Sequence, residues 1–324
     1  MQTHSRIYVA GHRGLVGSAI VRALRIDGFE DLILRTHAEL DLAKADEVDH
    51  FFKSERPDYV FLAAAKVGGI LANNTYPADF LLENLAIESH LIEASYRHGV
   101  DRLLFLGSSC IYPKLCPQPI KEEYLLTGPL EPTNRPYALA KIAGVEMCWA
   151  YNRQYGTRFL SAMPTNIYGP GDNFNLANSH VLPALIRKVV QAKVASAHQL
   201  EVWGTGTPRR EFLYSDDLAE ACVFLMNLSD DTYGKLLNGD NPPLLNVGTG
   251  EDVTIRELAT LICDVLGFEG ELAFDPSKPD GTPRKLLDVS RINALGWKAR
   301  TGLAEGIRTT YESMREQLEA MATQ

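Results

Sequence analysis

A serine, a tyrosine and a lysine in the first half of the chain have the types and spacing of a carbonyl-reducing centre. Ser108 ends a short apolar run, and Tyr137 and Lys141 lie four residues apart, on one face of a predicted helix. The two hydroxyls could donate to one carbonyl oxygen, while the lysine ammonium should lower the pKa of the phenol. A Tyr-x3-Lys pair also occurs by chance, and a serine can simply cap a strand end. The three residues therefore indicate a reductase only if the chain also has a site for a hydride donor.

A glycine turn near the N-terminus could bind that donor. Gly11, Gly14 and Gly17 follow a predicted strand and precede a predicted helix, so the backbone could approach a pyrophosphate at the helix N-terminus. The turn is completed by His12, Arg13, Leu15 and Val16. A glycine-rich turn that binds nothing is the alternative.

The residues after the second predicted strand favour NADPH over NADH. An NAD site usually has an acidic residue there, whereas this chain has Arg35, and Arg13 stands in the glycine turn. Two guanidinium groups suit the 2′-phosphate of NADPH, and Asp41 and Leu42 could contact the adenine. The alternative is that Arg35 only faces solvent.

Cys110 and His180 suggest a second reaction in the same pocket. Cys110 lies two residues after Ser108, so its thiol faces the same side if the extended conformation continues. A thiol and an imidazole on opposite faces of a sugar ring could remove and return a proton next to a ketone, which inverts that carbon. Each residue also has an ordinary explanation, as a buried apolar cysteine and a helix-capping histidine. The sequence leaves open which of the two is the acid.

Short apolar runs alternate with helical patterns through the first half, which predicts an α/β fold. The predicted strands are 7–10, 32–34, 59–63 and 103–106, with a fifth from 159, and the predicted helices are 15–27, 45–55, 80–98 and 137–155. This order is typical of a Rossmann-type doubly wound parallel sheet. Further helices are predicted near 180–195, 216–227, 254–266 and 303–320.

The pattern changes after Pro164, where glycine and proline become frequent, and we place a domain boundary near residue 166. Residues 1–166 would form an NADP-binding Rossmann domain, with return segments near 212–250. Residues 167–324 would form a smaller C-terminal α+β domain that binds the substrate.

Composition and charge exclude several classes of protein. The 324 residues are 45% hydrophobic, enough for a large core, and the net charge of −9 argues against nucleic acid and anionic membranes as partners. No apolar run reaches the roughly 18 residues of a membrane span, and residues 1–6 are too polar to begin a signal peptide. The five cysteines form no Cys-x2-Cys pair, so we expect reduced thiols, no metal site and a cytoplasmic protein.

The motifs resemble one family over most of the chain. They are GHRGLVGSAI, LAAAKVGGI, NNTYPADF, LGSSCIYP, EPTNRPYALAKIAG, MPTNIYGPGDNF, NSHVLPAL, WGTGTPRREF and SKPDGTPRKLLDV, which span residues 11–289 in order. They are similar to the GDP-L-fucose synthases, a family of extended short-chain dehydrogenase/reductases. The resemblance implies an NADPH-dependent enzyme that inverts C3 and C5 of GDP-4-keto-6-deoxy-D-mannose and then reduces C4 to give GDP-L-fucose.

The resemblance also implies a role for each candidate residue. Ser108, Tyr137 and Lys141 would form the reductase triad, and Cys110 and His180 the epimerisation acid/base pair. The residues that would line the cofactor, beyond those of the glycine turn, are Ala63, Ala64, Leu106, Gly107, Ser108, Ser109, Lys141, Pro164, Thr165, Asn166, Ile167 and His180. The residues that would contact the nucleotide-sugar are Lys188, Trp203, Arg210 and Asp280.

Two properties of the family bear on the cofactor and on assembly. Some relatives have an arginine where this chain has His37, so its preference for NADPH should be weaker. Members usually form homodimers through helices of the cofactor domain, which makes 80–98 and 137–155 the candidate interface.

Two other functions stay open at this point. A nucleotide-sugar 4-epimerase or dehydratase recycles its bound nicotinamide. A dehydratase, however, typically has Thr-Asp-Glu at residues 108–110, where this chain has Ser-Ser-Cys, and a 4-epimerase has no use for Cys110 and His180. A non-enzymatic NADP-binding sensor or scaffold tends to lose the catalytic tyrosine or lysine, and both are present. Net consumption of NADPH would separate these functions from the reductase.

Overall fold

The computed structural model describes residues 1–176, 178–278 and 280–322. Pro279, which belongs to the SKPDGTPRKLLDV motif, thus lies outside the described residues.

Strands and helices alternate through the first half of the chain. The elements up to residue 168 are β1 (Ile7–Ala10), α1 (Leu15–Ile26), β2 (Leu32–Ile33), α2 (Ala45–Glu55), β3 (Tyr59–Leu62), α3 (Ile70–Thr75), α4 (Pro77–Arg97), β4 (Arg102–Leu106), α5 (Arg135–Tyr155), β5 (Phe159–Pro164) and β6 (Asn166–Tyr168). Three short 3-10 turns lie between β4 and α5, at Ser109–Ile111, Glu122–Tyr124 and Pro132–Asn134.

The second half is less regular and its strands are shorter. Its elements are α6 (Val181–Val194), β7 (Gln199–Trp203), β8 (Arg209–Arg210), β9 (Phe212–Tyr214), α7 (Ser215–Asn227), α8 (Asp230–Leu237), β10 (Leu244–Val247), β11 (Val253–Thr254), α9 (Ile255–Leu266), β12 (Glu271–Asp275), β13 (Arg284–Lys285), α10 (Ser290–Ala294) and α11 (Leu303–Ala322).

Six parallel strands form the central sheet, in the order β10-β5-β4-β3-β1-β2. Helices α1 and α7 pack together, while α4 packs on both α2 and α5. Strands β1, β4, β5 and β10 are buried along their whole length, which explains why their sequences are continuous apolar runs. The predicted Rossmann-type α/β fold is confirmed.

The structure also contains elements that the sequence pattern did not predict. Helices α3, α8 and α10 span only 70–75, 230–237 and 290–294, too short for helical periodicity to be recognised. Helix α4 begins at Pro77 rather than near Phe80, because proline fits the first turn of a helix, where its missing N–H is not needed.

The described residues form two hydrophobic cores. The first surrounds the central sheet and takes in β10, which pairs with β5 so that Leu244 lies opposite Ser161. The second lies between α6, α9 and α11 and includes Leu200 and Val202 of β7. The domain boundary near residue 166 stays a prediction, and any boundary must allow for the return of β10 to the first core.

Candidate active site

A large cleft opens at the carboxyl ends of the central strands, where ligands of such sheets bind. Its volume is about 2000 Å³, and residues of both cores line it. A site for one small molecule usually has about 300–1,000 Å³, so this cleft has room for two ligands side by side.

The glycine turn forms one end of the cleft and fits a dinucleotide. Gly11 has a φ of +83°, which a residue with a side chain rarely adopts, and a Cβ there would lie 2.8 Å from the backbone of Ala64. A Cβ on Gly17 would lie 2.1 Å from the carbonyl oxygen of Gly11, so only glycine lets α1 begin this close to the turn. The N-terminus of α1 thereby faces the cleft, where its dipole favours a pyrophosphate.

Arg35 and Arg13 both line the same end of the cleft, but they are held differently. Arg35 is bound to Glu55 of α2, with 2.5 Å between Nη2 and Oε1, and its guanidinium lies 5.7 Å from the ring centre of Phe51. Arg35 therefore does not only face solvent. Arg13 is exposed and has no ion pair among the described residues. The exposed His37 also lines this end, with its Nδ1 4.0 Å from Asp41.

Ser108 and Cys110 lie in the cleft wall just beyond β4. Ser108 is extended, with φ −158° and ψ 144°, but the chain then turns into the 3-10 segment Ser109–Ile111. The extended conformation therefore does not continue through Cys110, whose N–H donates to the Ser108 hydroxyl at 3.3 Å at the start of that turn. The turn nevertheless leaves both side chains at the cleft.

Tyr137 also lines the cleft, two residues into α5, whereas Lys141 does not. The Lys141 ammonium is buried behind it, 2.9 Å from Oε1 of Glu88 and 3.0 Å from the carbonyl oxygen of Leu106, which it binds as donor. Burial, the thiol of Cys110 and the charge of Glu88 raise the pKa of Tyr137. The pKa of Tyr137 is therefore raised, chiefly by burial, and not lowered as the sequence predicted.

His180 and Lys285 also line the cleft. His180 stands directly before α6, and burial lowers the pKa of its imidazole, as does the charge of Lys285. Burial raises the pKa of the Cys110 thiol, while Lys285 and a hydrogen bond with the Ser108 hydroxyl lower it. Lys285 therefore lies close to both groups, which start as a thiol that can donate a proton and a neutral imidazole that can accept one.

The far end of the cleft is cationic and aromatic. The ammonium groups of Lys188 and Lys278 lie 5.0 and 5.5 Å from the ring centre of Trp203, and this residue is 56% exposed. Arg210 extends from β8 into the same region, where burial lowers the pKa of its guanidinium. Asp280 accepts hydrogen bonds from the backbone N–H and the hydroxyl of Thr205, at 2.7 and 2.8 Å, and so holds the turn after β7.

Nearly all of the candidate residues lie around this one cleft. The cleft is lined by Gly11, His12, Arg13, Gly14, Leu15, Val16, Gly17, Arg35, Asp41, Leu42, Ala63, Ala64, Gly107, Ser108, Ser109, Cys110, Tyr137, Pro164, Thr165, Asn166, Ile167, His180, Lys188, Trp203, Arg210 and Asp280. Leu106 and Lys141 are the exceptions, because the carbonyl oxygen of Leu106 holds the Lys141 ammonium behind the wall.

Sequence reasoning missed several ionisable groups at or behind the cleft wall, and three of them have notable surroundings. Lys285 faces the thiol and the imidazole, and Glu88 holds Lys141. Asp172 lies in the loop after β6, where burial raises the pKa of its carboxyl to about 7 and Oδ2 has no hydrogen-bond partner. None of these residues stands in a spacing pattern that the sequence alone could have singled out.

Neither a candidate metal site nor a membrane-spanning helix is found in the parts of the chain that the structure describes. Within residues 1–176, 178–278 and 280–322, no group of histidines, cysteines and acids is arranged to hold a metal ion. None of the helices described is long and apolar enough to cross a membrane. All five cysteines carry free thiols.

The chain is similar to known proteins over almost its whole length. The sequence profile of the NAD dependent epimerase/dehydratase family matches residues 7–238. The chain is 58% identical over 308 residues to GDP-L-fucose synthase 1 of Arabidopsis thaliana, covering 95% of this chain and 92% of that protein. It is 56% identical over 309 residues to the GDP-L-fucose synthase of Escherichia coli K12, covering 95% of each.

A solved structure agrees with these sequence relatives. The GDP-L-fucose synthetase of Naegleria fowleri, in a crystal structure bound to NADP, is 28% identical and covers 98% of this chain and 96% of its own. The two folds superpose with a TM-score of 0.86. With the cleft and its residues in place, these similarities lead to one conclusion: the chain belongs to the NAD dependent epimerase/dehydratase family and, within it, to the GDP-L-fucose synthases.

Proposed function

We propose that this protein is a bifunctional NADPH-dependent enzyme that inverts C3 and C5 of GDP-4-keto-6-deoxy-D-mannose and reduces C4 to give GDP-L-fucose. The observation that carries the proposal is the meeting of two sets of groups in one cleft. Ser108 and Tyr137 suit a reduction, and Cys110 and His180, both facing Lys285, suit proton transfer at carbon. A recycling 4-epimerase would need only the first set.

The reduction uses the hydroxyls at the start of α5 and the end of β4. Tyr137 donates its proton to the C4 oxygen, and Ser108 donates a hydrogen bond to the same oxygen, so charge developing there is stabilised. Because burial raises the pKa of Tyr137, the phenol carries its proton at neutral pH. NADPH, held at the glycine turn by the N-terminus of α1 and by Arg13 and Arg35, supplies the hydride when bound.

The inversions use the same oxygen and a different acid and base. Loss of a proton from C3 or C5 leaves an enolate whose oxygen is the one held by Ser108 and Tyr137. Return of a proton to the opposite face inverts the carbon. Cys110 and His180 hold one transferable proton between them, because the thiol is protonated and the imidazole is neutral. Lys285 lies next to this pair, where burial lowers the pKa of its own ammonium.

The nucleotide part of the substrate fits the far end of the cleft. Lys188 and Arg210 can pair with the diphosphate, and the exposed face of Trp203 can stack on a base. Asp280 keeps the turn at Thr205 in place beside them.

We also propose that the enzyme is a cytoplasmic homodimer. Helices α4 and α5 pack against each other and expose Leu82 and Leu139, which supports the expected interface through these two helices. The five free thiols support a reducing compartment.

A paired experiment tests the assignment of the two reactions. The purified enzyme is given GDP-4-keto-6-deoxy-D-mannose and NADPH in heavy water, while NADPH oxidation, deuterium at C3 and C5, and product stereochemistry are followed. We expect Cys110→Ser to lose deuterium incorporation and to reduce the unepimerised ketone. Tyr137→Phe should lower reduction by roughly 100- to 10,000-fold and still allow exchange.

Cys116→Ser is the matched control, because Cys116 is a free thiol that does not line the cleft. It should leave both reactions as they are. If Cys110→Ser gave the wild-type product at the wild-type rate, the thiol would have no part in the inversions. If the wild type consumed no NADPH, a recycling epimerase would replace the proposed function.

A further inference from the structure

A buried ion pair lies behind the catalytic wall, between α4 and α5. Glu88 and Lys141 are each only 1% exposed, and the Lys141 Nζ lies 2.9 Å from Oε1 of Glu88. Neither residue lines the cleft. The pair is therefore shielded from solvent and from the substrate, yet Lys141 is one helical turn from Tyr137 on the same helix.

The other contacts of Lys141 hold its ammonium in this position. It donates to the carbonyl oxygen of Leu106 at 3.0 Å, and it lies 4.7 Å from the ring centre of Phe105 and 5.8 Å from that of Tyr137. A carbonyl, a carboxylate and two aromatic faces thus surround the charge. The ammonium is fixed below the phenol rather than left mobile in the cleft.

The helices approach closely at this point because α5 has a glycine there. A Cβ on Gly144 would lie 2.9 Å from Oε2 of Glu88 and 2.4 Å from the Phe105 ring. Glycine inside a helix costs about 0.5–1 kcal/mol relative to alanine, and a buried ion pair adds little net stability. The arrangement therefore costs stability locally, which is typical of a position kept for function.

The titratable groups that interact with Glu88 lie on one neighbouring helix, α5. They are Lys141, Tyr137 and Cys148. Burial raises the pKa of Glu88, and Lys141 opposes that shift. The negative charge of Glu88 in turn raises the pKa of Tyr137, together with burial and Cys110.

We propose that Glu88 is a positioning residue for the reduction, which holds Lys141 behind Tyr137 and offsets the ammonium charge, so that Tyr137 keeps its proton while the enzyme awaits the ketone. The inference rests on the proposed function, in which Tyr137 is the proton donor to C4. Glu88 touches neither substrate nor cofactor and acts only through Lys141 and Tyr137. It thereby adds to the effect of burial in keeping Tyr137 protonated.

Glu88→Gln tests this role, because it removes the negative charge and keeps the shape. The titration of Tyr137 is followed by NMR in cofactor-free enzyme with carbon-13-labelled tyrosine, the resonance being assigned by its loss in Tyr137→Phe. We expect the Tyr137 midpoint to move to lower pH in Glu88→Gln. In the enzyme assay, the fall of kcat for reduction at alkaline pH should begin at a lower pH in Glu88→Gln than in the wild type.

Glu93→Gln is the matched control, since Glu93 is also a glutamate of α4 that binds α5, through the Tyr151 hydroxyl at 2.6 Å. It should leave the Tyr137 titration unchanged. Glu88→Asp keeps the charge but withdraws it from Lys141, so its midpoint should lie between those of wild type and Glu88→Gln. If Glu88→Gln does not fold, this smaller shift carries the test.

The two proposals fail in different ways. An unchanged or raised Tyr137 midpoint in Glu88→Gln, or an unchanged one in Glu88→Asp where Gln does not fold, would overturn the role of Glu88 and leave the enzyme's reaction as proposed. Absence of NADPH consumption by the wild type would overturn the reaction, while the NMR titration would still report on Glu88.

Discussion

Arg13 and Arg35 face the same end of the cleft with different freedom. Arg35 is tied to Glu55 and lies over Phe51, whereas Arg13 is exposed in the glycine turn. A guanidinium that is already paired gains less from a phosphate than one that is not. Arg13 should therefore contribute more to the recognition of the 2′-phosphate.

We expect Arg13→Gln to raise the KM for NADPH by roughly 10- to 100-fold, because a hydrogen bond to a charged group contributes about 1.5–3 kcal/mol. The KM for NADH should change little, since NADH has no 2′-phosphate. Steady-state kinetics with both cofactors measure this difference. His37→Arg should act in the opposite direction and strengthen the preference for NADPH. Equal losses with the two cofactors would place Arg13 outside the 2′-phosphate site.

Some site residues could be found from the sequence because their local position is informative. Ser108 ends a strand, Tyr137 starts a helix and His180 precedes another, and each position faces a cleft in a sheet of this kind. Glu88 and Lys285 have no such signal. Glu88 is one of several acids on α4, and Lys285 follows another cation. Only folding brings them to the wall that the other residues form.

The start of α1 shows how a single element depends on its glycines. A Cβ at position 17 would meet the Gly11 carbonyl oxygen at 2.1 Å, whereas the nearest atom to a Cβ at position 14 lies at 3.4 Å. Both residues belong to the same turn and neither has a positive φ. Substitutions at the two positions should therefore distinguish the effect of helix packing from the effect of cofactor binding.

We expect Gly17→Ala to lower the free energy of unfolding by about 3 kcal/mol, because backbone atoms must shift to make room. Gly14→Ala should cost at most about 1 kcal/mol and should instead weaken NADPH binding, where the backbone approaches the pyrophosphate. Denaturant unfolding and cofactor titration measure the two effects. Similar losses of stability in both variants would contradict this division.

Strands and helices could be predicted from the sequence where their pattern of apolar residues extends over enough residues. The strands and helices of the central sheet follow from apolar runs alternating with helical stretches. Strands β8, β11 and β13 span two residues each and form a sheet only by pairing with strands that are distant in sequence. A local sequence pattern therefore could not predict them. The 3-10 turn that contains Cys110 likewise includes a hydrogen bond to the Ser108 hydroxyl, which a sequence pattern does not reveal.

The outer layer of the whole molecule carries an unusual apolar surface. On α4 and α5, Leu82 is 72% exposed and Leu139 44%, and the rings of Tyr96 and Tyr155 stack with centroids 4.2 Å apart. Such a surface on two packed helices suits a second copy of the chain, because a symmetric interface buries the same patch on both subunits.

We expect Leu82→Glu to convert the proposed dimer to a monomer, because it would place a charge inside the proposed apolar interface. Size-exclusion chromatography with light scattering measures the mass. Ile26→Glu is the control, since Ile26 is 84% exposed on α1, which packs mainly against α7. A wild-type chain that elutes with the mass of one subunit would contradict the proposed dimer.

The path of the chain between its two cores limits how such an enzyme can be altered. After β6 the polypeptide leaves the first core, returns to it with α7, α8 and the edge strand β10, leaves again, and comes back with Leu287, Val289 and Ile292. A cut after residue 166 would strip the sheet of its sixth strand and leave the main-chain groups of β5 open to solvent. We therefore expect that neither part of a chain divided at that point would keep a complete core, so that the two parts could not be exchanged separately between relatives.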